Sequence, residues 1–474
     1  MGPLYTRGGA DRGGRGVRAV TRQYRSFGRP VRLLCVNQLG INTGFYLLMP
    51  YLADHLAVDL GMAVWLVGLV LGVRNLAQQG MFLVGGTLAD RFGVKRMIVA
   101  GCALRTVGFA LLAAVHSTPA LIVASAATGF AGALFNPAAR AYLALDAGGR
   151  RVEAFALFNV FYQAGVLVGP LLGLALVAVD FRLAAGVAAA VFACLTVLQW
   201  RALPARPPED RSAGSRSVLA DWRRVVGNRA FRLFSLTMIG TSVLSFQVYL
   251  ALPLEIRRVA GSEQAGVVGT AALFVASGLV AVLGQVRLTA WCKRRLRPAR
   301  TMVLGAVLMG SAFLPTALTA LLQPPAPADG WIGQVGAFAP AVIGAALLTA
   351  GTTVLYPFEM DTVVGLSGGT LVATHYGFYN TVAGIGIAAG NLGVGGVLDV
   401  ARDTGIAALP WLVLIAVAAA SAAGLVVLDR GRHLGPAHVA EAVERPVTTE
   451  GRDGAASTPI TGPAPAGADR GRTS

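Results

Sequence analysis

Charge is scarce in this chain. Only 13% of its 474 residues are Asp, Glu, Lys or Arg, where soluble domains carry about 25%. With 55% hydrophobic residues and a mean hydropathy of +0.63, a soluble protein of this length would lack polar surface to cover itself. A polytopic membrane protein needs no such cover along its lipid face. Cysteine is rarer still. Cys35, Cys102, Cys194 and Cys292 stand singly in or beside apolar segments, with no C-x-x-C pair or His/Cys cluster. That excludes a disulfide framework or thiolate metal site, and the four are expected to be small buried apolar side chains. Acids are outnumbered by bases, 23 to 40, giving a net charge of +17. The bases lie in short blocks between apolar runs rather than in a folded basic domain, so nucleic acid is not an expected partner. No Walker or Rossmann fingerprint is present, which argues against ATP-driven pumping by this chain. No nucleophile–base spacing suggests an enzyme, and no cofactor or metal is expected. No cleavable signal peptide is expected either, because residues 1–30 are Arg/Gly-rich and the apolar run after them continues for a full span.

What the chain has in abundance is long apolar runs. Twelve lie near 31–53, 64–84, 97–115, 119–142, 154–178, 182–200, 232–254, 265–289, 301–321, 332–356, 372–398 and 408–428. Each approaches the roughly 20 residues a helix needs to cross a ~30 Å hydrocarbon core. The separations at 116–118 and 179–181 are the shortest. Positive charge tests the count independently, since cytoplasmic loops retain Lys and Arg. With odd-to-even loops outside, 34 of the 40 basic residues fall inside and four (Arg182, Arg257, Arg258, Arg402) outside, while Arg74 and Arg105 lie within spans. Both termini are therefore expected in the cytoplasm, with the chain multi-pass in the plasma membrane. The loop between spans 10 and 11 has no Lys or Arg and adds nothing. Trp65, Trp331 and Trp411 start spans on the outer side, and Trp200 and Trp291 end spans on the inner side, as amphipathic rings prefer. Trp222 falls between spans 6 and 7, in a plain loop or a surface-lying helix.

The chain also resembles itself. Tyr46-Leu47-Leu48-Met49-Pro50 matches Tyr249-Leu250-Ala251-Leu252-Pro253. Phe155, Phe158, Asn159, Gly165 and Gly169 match Tyr376, Tyr379, Asn380, Gly386 and Gly390, and Pro137 matches Pro357. The same order in both halves predicts two similar six-helix bundles facing a central cavity. The expected units are a disordered basic tail (1–30), an N-terminal bundle (31–200), a cytoplasmic linker (201–231), a C-terminal bundle (232–428) and a disordered tail (429–474), the last rich in Gly, Pro, Ala, Thr and charge.

One loop carries the most information. Gly86-Thr87-Leu88-Ala89-Asp90-Arg91-Phe92-Gly93-Val94-Lys95-Arg96 has the spacing G-x-L-A-D-R-x-G-x-K-R. It resembles the signature loop between helices 2 and 3 of the major facilitator superfamily of secondary transporters, and the resemblance extends over about residues 30–430. It implies an all-α membrane protein with twelve transmembrane helices in two pseudo-symmetric six-helix bundles. It also implies a conformational latch at Gly86, Asp90, Arg91, Gly93, Lys95 and Arg96, with Arg140, just past Asn136-Pro137, as partner of Asp90. The alternative is a static topology anchor. The equivalent loop near Lys293, Arg294, Arg295 and Arg297 lacks the Asp, so the two gates should be unequal. A second motif, Gly165-x-x-x-Gly169-Pro170-x-x-Gly173, resembles an element in helix 5 of drug:proton antiporters. It predicts a close, bendable seam between the halves, although Leu174 stands where the family usually has a further glycine.

Departures from the pattern bear on coupling. Ser125 stands where many proton-coupled relatives carry an arginine on helix 4. Span 1 offers Asn37, Gln38 and Asn42 where relatives often have an acid, and no Asp or Glu lies in the middle of a span. Asp90, Glu359, Asp361 and His375 remain as proton-coupling candidates, since coupling needs a group whose protonation changes between states. Arg74, twelve residues before Gly86, sits about 18 Å along the helix from it, near mid-bilayer. It either attracts a substrate carboxylate or phenolate, or bonds Gln78, Asn75 and backbone carbonyls. Arg105 is read as structural, because helix 3 of the family lies away from the cavity. Candidate substrate contacts are Asn37, Asn42, Tyr46, Arg74, Gln78, Asn136, Asn159, Tyr162, Gln163, Gln247, Tyr249, Tyr356, His375, Tyr379 and Asn380. Some of these must be interhelical hydrogen bonds instead. An apolar cavity with amides and phenols suits amphipathic ligands. The expectation is a monomeric exporter of small amphipathic compounds with the bilayer, a small-molecule substrate and, if coupled, protons as partners. The alternatives are an importer or uniporter of a small metabolite, or a transport-dead membrane sensor.

Overall fold

The computed structural model describes residues 18–434 apart from 57–59, 116, 178, 206–216, 323–329 and 432–433. The tail before residue 18, most of the linker's first half and the tail from 435 lie outside the described residues, as do the side chains of Trp65 and Trp331. Every regular element described is helical. In chain order these are α1 (Arg29–Asp54), α2 (Val64–Gly80), α3 (Phe82–Phe92), α4 (Val94–Ala114), α5 (Thr118–Ala147), α6 (Arg151–Val177), α7 (Phe181–Ala202) and α8 (Val218–Gly227). There follow α9 (Arg229–Phe246), α10 (Ala251–Val259), α11 (Glu263–Arg295), α12 (Pro298–Ser311), α13 (Leu314–Leu322), α14 (Gly330–Ser367), α15 (Val372–Thr404) and α16 (Leu409–Arg430).

Nine described helical stretches are by themselves long and apolar enough to cross a membrane. One of them, 118–177, folds back through a 3-10 turn at Gly148–Arg150 and makes two crossings. With α1 and the α2–α3 pair, the crossings number twelve. Both short separations are real ends. Ser117 precedes α5, whose first turn holds Pro119, and Asp180 caps α7 by accepting from the Arg182 N–H at 2.5 Å. Three crossings are broken: at Met81, over 247–250 and at Ala312–Phe313. Pro253 and Pro315 start the second pieces of the latter two, where a missing N–H interrupts the ladder.

In the first bundle α1 packs along α6, and α4 packs on α5 and α7. In the second, α9 packs along α15, and α12 packs on α14 and α16. The internal repeat is visible as packing. Cβ atoms added at Gly165 and Gly169 would lie 2.7 and 2.8 Å from the Asn42 and Tyr46 Cβ atoms of α1. Cβ atoms at Gly386 and Gly390 would lie 2.5 and 2.4 Å from Ile239 and Val243 of α9. This corrects the expectation for helix 5. Its glycine face is a seam against α1 inside one bundle, with Gly173 seated on the Leu47 carbonyl, and it does not join the halves. The opposite face of α6 meets the second bundle through Asn159 and Leu167. Spacing fixes which residues share a face, not what that face meets, so the motif alone does not tell a seam within a bundle from one between the halves.

Several boundaries also differ from the hydropathy reading: α5 runs to Ala147, α11 to Arg295, α14 to Ser367 and α15 to Thr404, because the turns beyond each apolar stretch stay helical. Trp411, in the first turn of α16, faces the bundle interior rather than lipid. It is 1% exposed and stacks on Phe313 inside the second bundle, with ring centroids 6.3 Å apart. Trp222 lies on the helix α8, which Ser217 caps.

Candidate transport site

The signature loop forms the end of α3 and the start of α4, joined at Gly93, whose φ of 95° is one a glycine adopts without strain. The loop clasps the other bundle. The Asp90 carboxylate accepts from the Ala373 N–H at 3.1 Å and from the Thr374 N–H and Oγ1 at 2.7 Å each. These are the first donors of α15, so the acid satisfies otherwise orphaned N–H groups and meets the positive end of the helix dipole. Leu371, just before α15, holds a left-handed φ of 49° that aims those N–H groups at Asp90. Such a conformation costs a non-glycine residue about 1–3 kcal/mol and persists only where the surroundings impose it. Gly86 makes the approach possible, because a Cβ there would lie 2.2 Å from the Ala373 carbonyl oxygen. Arg91 turns aside to Asp221 on α8 at 2.8 Å, and the Trp222 indole donates to Thr87 Oγ1 at 2.9 Å. Lys95 and Arg96 lie in the first turn of α4.

The same end of the molecule carries two further cross-bundle clasps. Arg151 of α6 pairs with Asp361 of α14 at 2.5 Å, and Lys293 of α11 pairs with Glu153 of α6 at 2.6 Å. Deeper, Asn159 Nδ2 of α6 donates to Gln285 Oε1 of α11 at 2.6 Å, and Gln285 donates to the Thr353 carbonyl of α14 at 2.8 Å and to Thr289. Hydropathy and motif spacing marked neither ion pair, nor Gln285, because such contacts join positions more than 100 residues apart.

Arg140, offered by the sequence as the latch partner, faces an aromatic cluster. Tyr356 lies within hydrogen-bonding reach, and Tyr376 and Tyr162 are close enough to interact with its charge. Glu359 accepts from the Tyr379 hydroxyl, and Arg140 is near enough to act on both. This places an acid, a guanidinium and several phenols together at the bundle interface. Tyr46, Tyr162 and Tyr249 form another group, with phenols in reach of one another across the two bundles. Beside it, Arg74 lies over the Phe45 ring at 5.1 Å and donates to Asn75 Oδ1 at 2.5 Å. Gln78 approaches Gly132, where Arg105 also arrives. Arg105 is thus not remote from the cleft: it reaches over Phe45 and Phe192 at 5.5 and 5.6 Å.

Other candidates are bound inside bundles. Asn37 is fully buried near the Cys102 thiol, and Asn42 donates to the Gln38 carbonyl at 2.7 Å. Gln247 is buried between the Val243 carbonyl and Asn391. His375 points Nδ1 at the Leu371 carbonyl and packs edge-on against Phe231. Asn380 donates to the Tyr376 carbonyl. Asn136 and Gln163 are partly exposed.

Two like helical bundles, joined face to face and clasped at one end over a polar and aromatic cleft, define a polytopic membrane transporter. The family model described as Major Facilitator Superfamily matches residues 34–391, and the chain belongs to that family. It is 51% identical over 414 residues to the uncharacterized MFS-type transporter Rv0849 of Mycobacterium tuberculosis, covering 87% of this chain and 96% of that one. It is 30% identical over 397 residues to the multidrug resistance protein MdtH of Klebsiella pneumoniae, covering 83% and 92%. The fold also matches the E. coli fucose:proton symporter FucP, with a TM-score of 0.64 at 15% identity over 85% of this chain and 98% of that one.

Proposed function

We propose that this protein is a proton-driven exporter of small amphipathic compounds in the plasma membrane, with the clasped, basic end in the cytoplasm and both termini on that side. The observation that carries the reading is the Asp90 clasp on the first turn of α15. It ties the bundles at one end through a few polar contacts, which a rocking motion can break and remake. The 30% identity to a multidrug resistance protein supports export of amphipathic compounds. Of the four coupling candidates, Glu359 has the most suitable place, at the bundle interface between Tyr379 and Arg140. Asp361 is engaged by Arg151 and His375 is enclosed by its own helix and Phe231.

The test is proton flux in proteoliposomes carrying a trapped pH dye. A panel of amphipathic aromatic compounds of positive, neutral and negative charge is offered. Export predicts that at least one drives proton movement in the opposite sense, and that Glu359→Gln abolishes the flux while retaining substrate binding. Substrate movement with no proton flux in the wild type would support uniport and contradict the antiport reading.

A further inference from the structure

We infer that the cleft of the first bundle is built to take an amphipathic aromatic anion, held by Arg74 and Arg105 where they share the ring of Phe45. The inference deepens the exporter reading by naming a substrate class.

Four observations lead to it. Two guanidiniums from different helices, α2 and α4, share one ring of α1 at 5.1 and 5.5 Å. Arg105 is only 5% exposed, yet its Nε, like that of Arg74, has no acceptor among the described residues. No carboxylate among the described residues lies within ion-pair distance of either. The two are also close enough to repel one another. Like charges gathered in a membrane interior without a counter-ion are costly, and intramembrane charges of this kind mark substrate or ion pathways. The fold offers a cation–π face as partial compensation, and leaves the Nε of both guanidiniums without an acceptor among the described residues, while Arg74 Nη2 is held by Asn75. A guanidinium edge is matched by a carboxylate or sulfonate.

The walls specify the rest of the ligand. Phe45 stacks edge-on to Tyr46 at 5.2 Å, and Tyr249 lies 5.7 Å from Phe274 on the facing bundle. Tyr46, Tyr162 and Tyr249 supply phenol donors around the same space. A flat aromatic body with one acidic group satisfies both the rings and the forks. A lipid headgroup phosphate shares the anionic chemistry but lacks the aromatic body.

The purified full chain in phosphatidylcholine nanodiscs distinguishes these cases by equilibrium dialysis, with empty discs as background. The probes are 2-naphthoate, the neutral 2-naphthamide and the cationic 2-naphthylmethylammonium. Naphthoate is expected to bind at least about tenfold more tightly than the amide. Arg74→Gln and Arg105→Gln should remove that preference, weakening naphthoate far more than the amide, and Arg74→Lys should retain part of it. A merely structural arginine would weaken all three probes alike. If Arg105→Gln does not fold, the two Arg74 variants decide. Equal affinities, a preference for the cation, no naphthoate binding above empty discs, or an unchanged preference in Arg74→Gln would each overturn the inference. Discs with phosphatidylglycerol form a second arm: naphthoate binding that resists the anionic lipid supports a small-molecule site, and competition assigns the same arginine pair to headgroups. Because the proton-flux panel includes cations and neutral compounds, failure here leaves that result standing, and the reverse also holds.

Discussion

At the scale of single residues, the clasp between the bundles centres on one carboxylate receiving three donors. Hydrogen bonds to a charged group contribute about 1.5–3 kcal/mol each in favourable settings. Asp90→Asn keeps the shape but loses the charge and turns one acceptor into a donor facing N–H groups. We expect it to weaken the clasped state by about 1–3 kcal/mol, to abolish net export and to leave membrane insertion intact. Full transport by that variant would remove the latch. Gly86→Val is a steric counterpart. Its side chain would enter the space of the Ala373 carbonyl, so the clasped state should be lost even though Asp90 is present. Accessibility of a cysteine placed at Ala373 to a membrane-impermeant thiol reagent reads this directly, and should rise in both variants. The sequence identified Asp90 and Gly86 because their spacing is local. It did not show that Asp90 lands on the α15 N-terminus, which is 283 residues away and depends on the bundles being docked.

At the scale of elements, α8 acts as a strut. It is short, capped by Ser217, and pinned to α3 through Asp221–Arg91 and Trp222–Thr87, while Asn228 just after it donates to the Leu366 carbonyl at 2.8 Å. The linker therefore touches both bundles beside the Asp90 clasp. Asp221 is nearly buried, so Asp221→Asn together with Trp222→Ala should lower the stability of the clasped state by about 1–3 kcal/mol without removing substrate binding. Thermal unfolding in detergent and binding of the naphthyl probes measure the two effects separately. An unchanged melting temperature would contradict the strut. Apolar length and basic loops were enough to locate the twelve crossings, since each is a property of a continuous segment. The breaks in the crossings that contain α2, α9 and α12 are not legible in the sequence, because hydropathy does not register a locally interrupted backbone ladder. Nor is the face that Gly165, Gly169 and Gly173 present to α1.

At the scale of the whole molecule, the bundles are two copies of one packing plan held together at the basic end by exchangeable contacts. Arg151–Asp361 and Lys293–Glu153 are partly exposed, so each contributes modestly and is salt-sensitive. Reversing one charge, as in Asp361→Arg, should slow transport. Adding Arg151→Asp should recover most of the rate, because the pair works by complementarity rather than by chemistry. No recovery in the double variant would show that Asp361 has another role. The composition, the loop motif and the self-similarity conveyed this architecture well. The cleft was only half legible: Arg74 stood out as a charge in a span, whereas its sharing of Phe45 with Arg105 required three helices to be placed in space.

The central claim is that the two bundles rock about the cleft, opening one end as the other closes. Double electron–electron resonance tests it most directly, on a functional cysteine-free background with one spin-label pair at Gly149 and Arg297 at the basic end and another at Gly61 and Ser262 at the far end. All four positions are exposed. In lipid nanodiscs, conditions that favour release of the clasp should lengthen the first distance while shortening the second. If both distances stay fixed, or both lengthen together, the rocking account is contradicted.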